Sequence, residues 1–363
     1  MAASGPTVLI VGAGVVGCCI AYYLARRGAD VHLIDDNEGP SATSRASLGL
    51  LTHPNGLDNP FSNLYRDGHV SHRQLAAELL EETGLDVGWR APGGIDLILS
   101  AADEEAAREL LRFNRERNCP AEWVEVGPLR DMEPDIAPQA RGGVYFPDDH
   151  RVDPELLSAA LLRATQERGG RISCGEKVEA VEQRADHRVE VRTSGQTHAA
   201  DCAVLAAGAW TRGIAETLGA GIPVRPVRGQ QGRYRGGERV HHILRHSGHY
   251  VVAAGEDLIV GSTVEEVEFA LETTDDAARH FDGIFRSVLA FAPQRLEQRA
   301  GLRPKPKGGR PLIGPLQEFP RIFAATGHYK NGVLLGPITG RIISEWIAEG
   351  KPGRDMSYFA PER

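Results

Sequence analysis

An α/β fold (α+β in its second half) opening on a parallel β-α-β unit is predicted by three features at the start of the chain. Thr7–Val11 is a short apolar, β-branched run of the kind that a strand buried on both faces requires. Gly12-Ala-Gly-Val-Val-Gly17 follows at once as a turn, and residues 16–27 read as a helix with basic residues in its last turn and Gly28 just beyond it. Asp30–Ile34 then reads as a second strand that ends on the acid Asp35.

Later elements follow in order. Residues 103–113 begin on acids and continue with helical spacing. Asp153 followed by Pro154 is an N-cap with proline at the first helical position; Leu157, Leu161 and Ala164 share a face, and Gly169 and Gly170 form the stop. Ala278, Phe281, Phe285 and Val288 place a helix over residues 275–289, and a final helix is expected over 338–348. Strands are expected at 178–181, 189–191, 203–206, 250–253 and 258–260, the last two joined as a hairpin. No repeat or low-complexity linker occurs, so the chain is expected to cross between domains more than once.

With 363 residues the chain is long enough for two domains. Its 41% hydrophobic and 25% charged residues are a globular balance, and the net charge of -8 argues against a nucleic-acid partner, which needs a basic face. The five cysteines are odd in number and include no C-x-x-C pair, so neither a disulfide framework nor a metal site is expected. They read as buried small side chains in a reducing cytoplasm. Residues 7–24 are largely apolar, but no Lys or Arg precedes them and three glycines interrupt them. Neither a signal segment nor a membrane span is therefore expected. The basic, histidine-rich stretch 225–249 lacks metal-ligand spacing and interleaved aromatics and is read as solvated strand faces.

The glycine turn is the strongest motif. A bare G-x-G-x-x-G is weak, but this one follows a strand, opens a helix and has Asp35 about twenty residues on. Gly12 permits the tight turn, Gly14 lets the backbone approach a pyrophosphate, and Gly17 lets helix and strand pack closely. The helix N-terminus, at Val15, offers unpaired N–H groups to the phosphates. Asp35 would accept hydrogen bonds from ribose hydroxyls and disfavours a 2′-phosphate, hence NADP. These residues define a Rossmann-type dinucleotide site and leave NAD or FAD open.

Four later segments narrow that choice by resemblance. Residues 41–51 (Ser-Ala-Thr-Ser-Arg-Ala-Ser-Leu-Gly-Leu-Leu), Val204-Leu-Ala-Ala-Gly-Ala-Trp210, Gly301-Leu-Arg-Pro304 with Arg310-Pro-Leu-Ile-Gly-Pro315, and Gly327-His-Tyr-Lys-Asn-Gly-Val-Leu-Leu-Gly-Pro337 occur in order. The chain resembles the D-amino-acid oxidase superfamily over essentially its whole length, and within it the glycine oxidase, thiamine-pathway branch. Pro226-Val-Arg-Gly-Gln230, Gly248-His-Tyr250 and Val260-Gly-Ser-Thr-Val-Glu265 are further parallels.

The resemblance implies FAD, held on a discontinuous Rossmann-type domain (1–80, 150–220 and 300–363). A substrate domain with a mainly antiparallel sheet would take 81–149 and 221–299. Cofactor contacts are implied at Ser44, Arg45 and Ala46, at Val178, at Ala207, Gly208 and Trp210, and at Gly327, His328, Asn331, Gly332, Val333 and Leu334. Backbone N–H groups of the last segment would stabilise negative charge on the reduced flavin. Arg45 is read either as a pyrophosphate contact or as a solvated side chain, and His328 either as a ligand contact or as a structural histidine. His53 is read either as lining the substrate pocket or, in preference, as an ordinary loop histidine.

The implied reaction is oxidation of a small α-amino acid or N-substituted glycine. A hydride passes from Cα of the neutral amine to flavin N5, the imine hydrolyses, and O2 reoxidises the flavin to give H2O2. Arg303 would pair with the substrate carboxylate through its planar fork, and Tyr250 would donate its hydroxyl to the same group. Lys330 stands where many relatives carry arginine, keeping the charge but not the fork. Competing readings are a sarcosine-type or D-amino-acid oxidase, a dehydrogenase using another acceptor, a nicotinamide dehydrogenase, and a flavin-binding protein without turnover. A homo-oligomer is compatible with the resemblance.

Overall fold

The computed structural model describes residues 5–38, 41–54 and 56–361. Thr7–Val11 sits inside a six-stranded sheet, paired in parallel with Asp30–Ile34 on one side and Cys202–Leu205 on the other. Arg171–Ser173 extends the sheet beyond Asp30–Ile34, and Ile322–Thr326 extends it beyond Cys202–Leu205; Leu312–Pro315 closes it as an antiparallel edge. Alternation explains the continuous apolar run: Val8 and Ile10 enter one buried cluster and Leu9 and Val11 another, so both faces are covered.

Helix Val15–Arg26 packs against the final helix through missing side chains. A Cβ on Gly340 would stand 2.7 Å from the Cys19 carbonyl carbon. The final helix runs Gly332–Glu349, starting six residues before the expected 338–348. Pro337 lies inside it and supplies no N–H to the Val333 carbonyl. The buried His72 ring takes that place, with Nε2 3.0 Å from Val333 O. Burial pushes the His72 imidazole down to about 4, so the ring is a neutral donor.

His72 belongs to Pro60–Thr83, a 24-residue helix that the pattern reading did not assign. Its signals are local: Asn59 caps it by accepting from Ser62 N at 2.9 Å, Pro60 opens it, and Gly84 ends it at φ 71°. The other helices agree within a few residues, at Ala101–Arg115, Pro154–Glu167 and Asp275–Val288.

An eight-stranded sheet forms the second layer. Its order is Arg295–Pro306, Val224–Arg235, Asp257–Gly261, His249–Ala254, Ile243–His246, Gly94–Ile98, Gly142–Phe146 and Glu122–Glu125, antiparallel except where Ile243–His246 meets Gly94–Ile98. The expected hairpin is present, with Tyr250 opposite Gly261. One face is covered by helix Asp275–Val288 through Phe281 and Phe285. The other packs Ile243, Val252 and Ile259 against Leu48, in the segment that follows the Rossmann-type unit. The two 12-residue strands were not foreseen, and Arg295–Pro306 straddles the expected boundary at residue 300. A three-stranded sheet, Val178–Gln183, Val189–Thr193 and Thr197–Ala200, is hydrogen-bonded to neither but packs on the six-stranded sheet through Val181, Val189 and Val191. Among the described residues no helix is long and apolar enough to cross a membrane.

Candidate active site

The glycine turn is built by close approach. Gly12 lies at φ 110°, and a Cβ there would meet the Ala206 carbonyl oxygen at 2.6 Å. A Cβ on Gly17 would stand 1.9 Å from Gly12 O, so only glycine allows the turn to seat against the helix. The bare face of Gly14 looks toward the Ser41 and Ser44 hydroxyls, and Val15 N–H donates to Ser44 Oγ at 3.1 Å. No side chain caps the helix at Gly14. A helix N-terminus facing two hydroxyls is a donor set that fits a pyrophosphate. Asp35 is buried at the next strand end, accepting from Ala13 N at 2.5 Å and Asn37 N at 2.8 Å; it braces the turn as well as closing the strand.

Residues 42–45 form a short helix against the eight-stranded sheet: a Cβ on Gly301 would stand 2.6 Å from Thr43 Cα. The Arg45 side chain is exposed, while its carbonyl accepts from Gln231 Nε2 at 3.0 Å; Ala46 is buried beside it. Val178 opens the three-stranded sheet, partly buried against the cluster that holds Leu9 and Val11. Gly208 adopts φ 54°, and its carbonyl accepts from Thr326 Oγ1 at 2.9 Å, which ties the Ala207–Trp210 turn to the loop at Gly327. Trp210 is exposed. His328 is buried, hydrogen-bonded to Thr339 at 3.0 Å, and pushed by burial to about 4, the situation of a structural histidine. Asn331 precedes the final helix without a side-chain cap, leaving the N–H groups at Gly332 and Val333 for an acceptor; Leu334 is buried behind them.

Arg303 lies inside the Arg295–Pro306 strand, opposite Val227. Its side chain reaches across the Val224–Arg235 strand, where Nη1 donates to Thr263 O at 3.0 Å and approaches Arg228 O at 3.5 Å. The guanidinium occupies the space a side chain at residue 229 would fill: a Cβ on Gly229 would stand 1.9 Å from Nη2. Among the described residues no carboxylate lies within ion-pair distance of Arg303 or Lys330. Lys330 is exposed, and its Nζ lies 5.7 Å from the centre of the Tyr329 ring, with Lys305 Nζ 5.8 Å from the same ring; partial burial, then repulsion from Arg303 and Lys305, pushes the Lys330 ammonium down. Burial likewise lowers the affinity of Arg303 for its proton, only partly offset by Tyr329 and Glu265. Tyr250 lies on the sheet face that packs against Leu48 and Leu50, half-buried, and burial raises its phenol.

A buried charge network adjoins Tyr250. Arg245, its cross-strand neighbour, pairs with Asp149 (2.7 Å) and with Asp96. Asp149 also accepts from His53 N (2.8 Å) and Nδ1 (2.7 Å), and the His53 ring stacks on Phe146 at 4.1 Å. His53 is therefore not an ordinary loop histidine. Nor are Arg228 and Arg245 on solvated strand faces: both are tied into buried ion pairs, because this sheet is covered on both sides. Nothing local in the sequence marks these pairs. Gly229, by contrast, sits in the Pro226–Gln230 parallel and was within reach.

Residues 7–346 match the FAD dependent oxidoreductase family, and the chain belongs to it. Glycine oxidase of Geobacillus kaustophilus is 30% identical over 98% of this chain and 96% of its own length. Glycine oxidase of Pseudomonas aeruginosa is 28% identical over 98% of each. The crystal structure of the G. kaustophilus enzyme aligns with a TM-score of 0.92 and 27% identity, covering 99% of both chains. The cofactor is FAD, which the glycine turn, the Ser41–Ser44 hydroxyls and the uncapped final helix are chemically suited to hold.

Proposed function

We propose that this FAD-dependent oxidoreductase oxidises a small α-amino acid or N-substituted glycine, with oxygen as the electron acceptor. The observation that carries the reading is the juxtaposition of Arg303 and Lys330, neither matched by a carboxylate, beside the loop that opens the final helix. A partly buried arginine beside an exposed lysine, neither with a carboxylate partner, calls for an anionic group, and a carboxylate fits the fork of Arg303. The curated relatives named as glycine oxidases support the same substrate class.

In this reading Arg303 and Lys330 hold the carboxylate, Tyr250 donates a hydrogen bond to it, and the carboxylate fixes the α-carbon in place. Bound FAD would supply the hydride acceptor. The N–H groups at Gly332 and Val333 would hold its pyrimidine edge, Gly12, Gly14, Val15 and Gly17 with Ser44 would hold the pyrophosphate, and Asp35 would hold the ribose. Arg45, Ala46, Val178, Ala207, Gly208, Trp210, Gly327 and Leu334 complete the contacts. The six-stranded sheet and its helices form the FAD domain and the eight-stranded sheet the substrate domain, divided near 1–80, 150–220 and 300–363 against 81–149 and 221–299.

The test is an anaerobic visible spectrum of the purified protein titrated with glycine, sarcosine and small D-amino acids, followed by admission of air. Bleaching by one of them and recovery in air is the expected result. A flavin spectrum that none of them bleaches would remove the small-amino-acid assignment, and bleaching without recovery in air would assign a dehydrogenase.

A further inference from the structure

The parallels Pro226–Gln230 and Val260–Glu265 have no part in the reading above, yet they meet edge to edge. Arg228 N–H donates to Glu265 O at 2.8 Å and Glu265 N–H to Arg228 O at 2.9 Å. Thr263 N–H donates to Gln230 O at 3.2 Å, and Gln230 N–H to Thr263 Oγ1 at 2.9 Å. The Glu265 carboxylate closes this ladder as a hub. It accepts from Arg228 Nη2 at 2.6 Å, from Gln230 Nε2 at 2.8 Å and from the Thr263 hydroxyl. Arg228 and Gln230 are buried, and Gln230 Oε1 also accepts from Thr274 N, at the cap of helix Asp275–Val288, at 2.8 Å. Burial raises the Glu265 carboxyl, but the bonds from Thr263, Arg228 and Gln230 outweigh it and hold the group below its usual range.

The two carbonyls that receive Arg303 Nη1, those of Arg228 and Thr263, are both members of this ladder. Because Arg228 and Gln230 alternate with Gly229, the Glu265 hub lies on the sheet face opposite the Arg303 guanidinium. It acts on Arg303 through the backbone, not by touching the substrate side.

We propose that Glu265 is a positioning residue for the carboxylate clamp: by locking residues 228 and 263 together it fixes the two carbonyls that aim Arg303. The inference rests on Arg303 being the group that binds the substrate carboxylate. A guanidinium fork is effective only in the right orientation, so a loosened ladder leaves the charge in place and spoils its direction. Affinity for carboxylates then falls, while hydride transfer from substrate already bound is spared.

The experiment compares the FAD-loaded parent with Glu265→Ala, Glu265→Gln and Arg303→Ala. The readouts are kcat and KM for the amino acid that bleaches the flavin, flavin content, and the Kd of glycolate, a carboxylate without an amine, from its perturbation of the flavin spectrum. In Glu265→Ala, KM and the glycolate Kd rise together by about tenfold while kcat stays within about threefold and flavin is retained. Glu265→Gln keeps a carbonyl acceptor for Gln230 and Thr263, and its rise is about threefold. An unchanged glycolate Kd in Glu265→Ala overturns the proposal, as does a joint loss of kcat, affinity and flavin, which marks a merely structural role. Should Glu265→Ala fail to fold, Glu265→Gln decides by the same Kd. Parent-like glycolate binding in Arg303→Ala would sink the clamp itself; loss there with retention in Glu265→Ala sinks only the role of Glu265.

Discussion

The two walls of the site are made of opposite materials. On the side of the six-stranded sheet, recognition is built from side chains that are missing: Gly12, Gly14 and Gly17 bring backbone to within van der Waals distance, and helix N-termini present N–H groups. On the side of the eight-stranded sheet it is built from charges, with Arg303 stretched over Gly229, Arg228 and Glu265 paired beneath it, and Arg245 and Asp149 paired next to Tyr250. The first wall tolerates no added atom, and its contacts to the cofactor are made by backbone groups that do not titrate. The second tolerates shape changes better than the loss or misdirection of a charge. Steric lesions should therefore strike cofactor binding, and charge lesions substrate affinity.

The largest expected break of this division is Gly17→Val. Its Cβ would fall 1.9 Å from Gly12 O, and the strain, about 3 kcal/mol or more, should yield protein without bound flavin, read directly as lost yellow absorbance. Stoichiometric flavin in that variant would undo the steric account of the first wall. Arg303→Ala comes next. Loss of two charge-assisted hydrogen bonds, about 3 kcal/mol, should raise KM roughly 100-fold with flavin fully retained. Flavin loss in Arg303→Ala would erase the distinction between the walls.

Acid offers a way to sharpen the comparison, because His72 and His328 lie on the cofactor side. Both are pushed down to about 4 from the ordinary 6.5, so the folded state binds fewer protons than the unfolded chain. Stability is then complete above pH 6.5 and is lost as pH falls toward 4, by about 1.4 kcal/mol per pH unit for each ring. His72→Gln keeps a donor for Val333 O and removes one titration, so its Tm should fall less steeply between pH 6.5 and 4.5. An identical slope would remove His72 from the account. The smallest effect is expected for Gly229→Ala, which must displace the Arg303 guanidinium: KM should rise about tenfold, equivalent to about 1.4 kcal/mol, with kcat and flavin content little changed.

Legibility in the sequence followed the same division. The strand Thr7–Val11, the glycine turn and Asp35 were readable because a strand covered on both faces is a continuous apolar run and close backbone approach demands glycine at fixed spacing. The strands Val224–Arg235 and Arg295–Pro306 were not, since they carry Arg, Gln and Gly where one face meets the cofactor side and the other a buried ion-pair layer. Pairs such as His53 with Asp149 join residues 96 positions apart, and no local pattern encodes them. Helix Pro60–Thr83 did announce itself at both ends, through Asn59-Pro60 and Gly84, but its interior mixes three polar residue classes on its faces and hides the apolar stripe. The final helix begins six residues before the expected 338, and no sequence signal shows that His72, from a distant helix, serves Val333 O where Pro337 lacks an N–H.

That substitution of an imidazole for a peptide N–H has a consequence for dynamics. The helix Pro60–Thr83 is joined to the first turn of the final helix, where a Cβ on Gly68 would stand only 2.7 Å from Leu334 O and His72 bonds Val333 O. The N–H groups of that same turn are the ones proposed to meet the flavin. If that turn anchors the cofactor as proposed, local opening of the long helix would uncover it, and occupancy of the turn would disfavour opening of the long helix through linkage. Amide exchange along residues 60–83 becomes a remote reporter of cofactor occupancy, slowed in holoenzyme relative to apoprotein although the bond joining the two helices never touches the flavin.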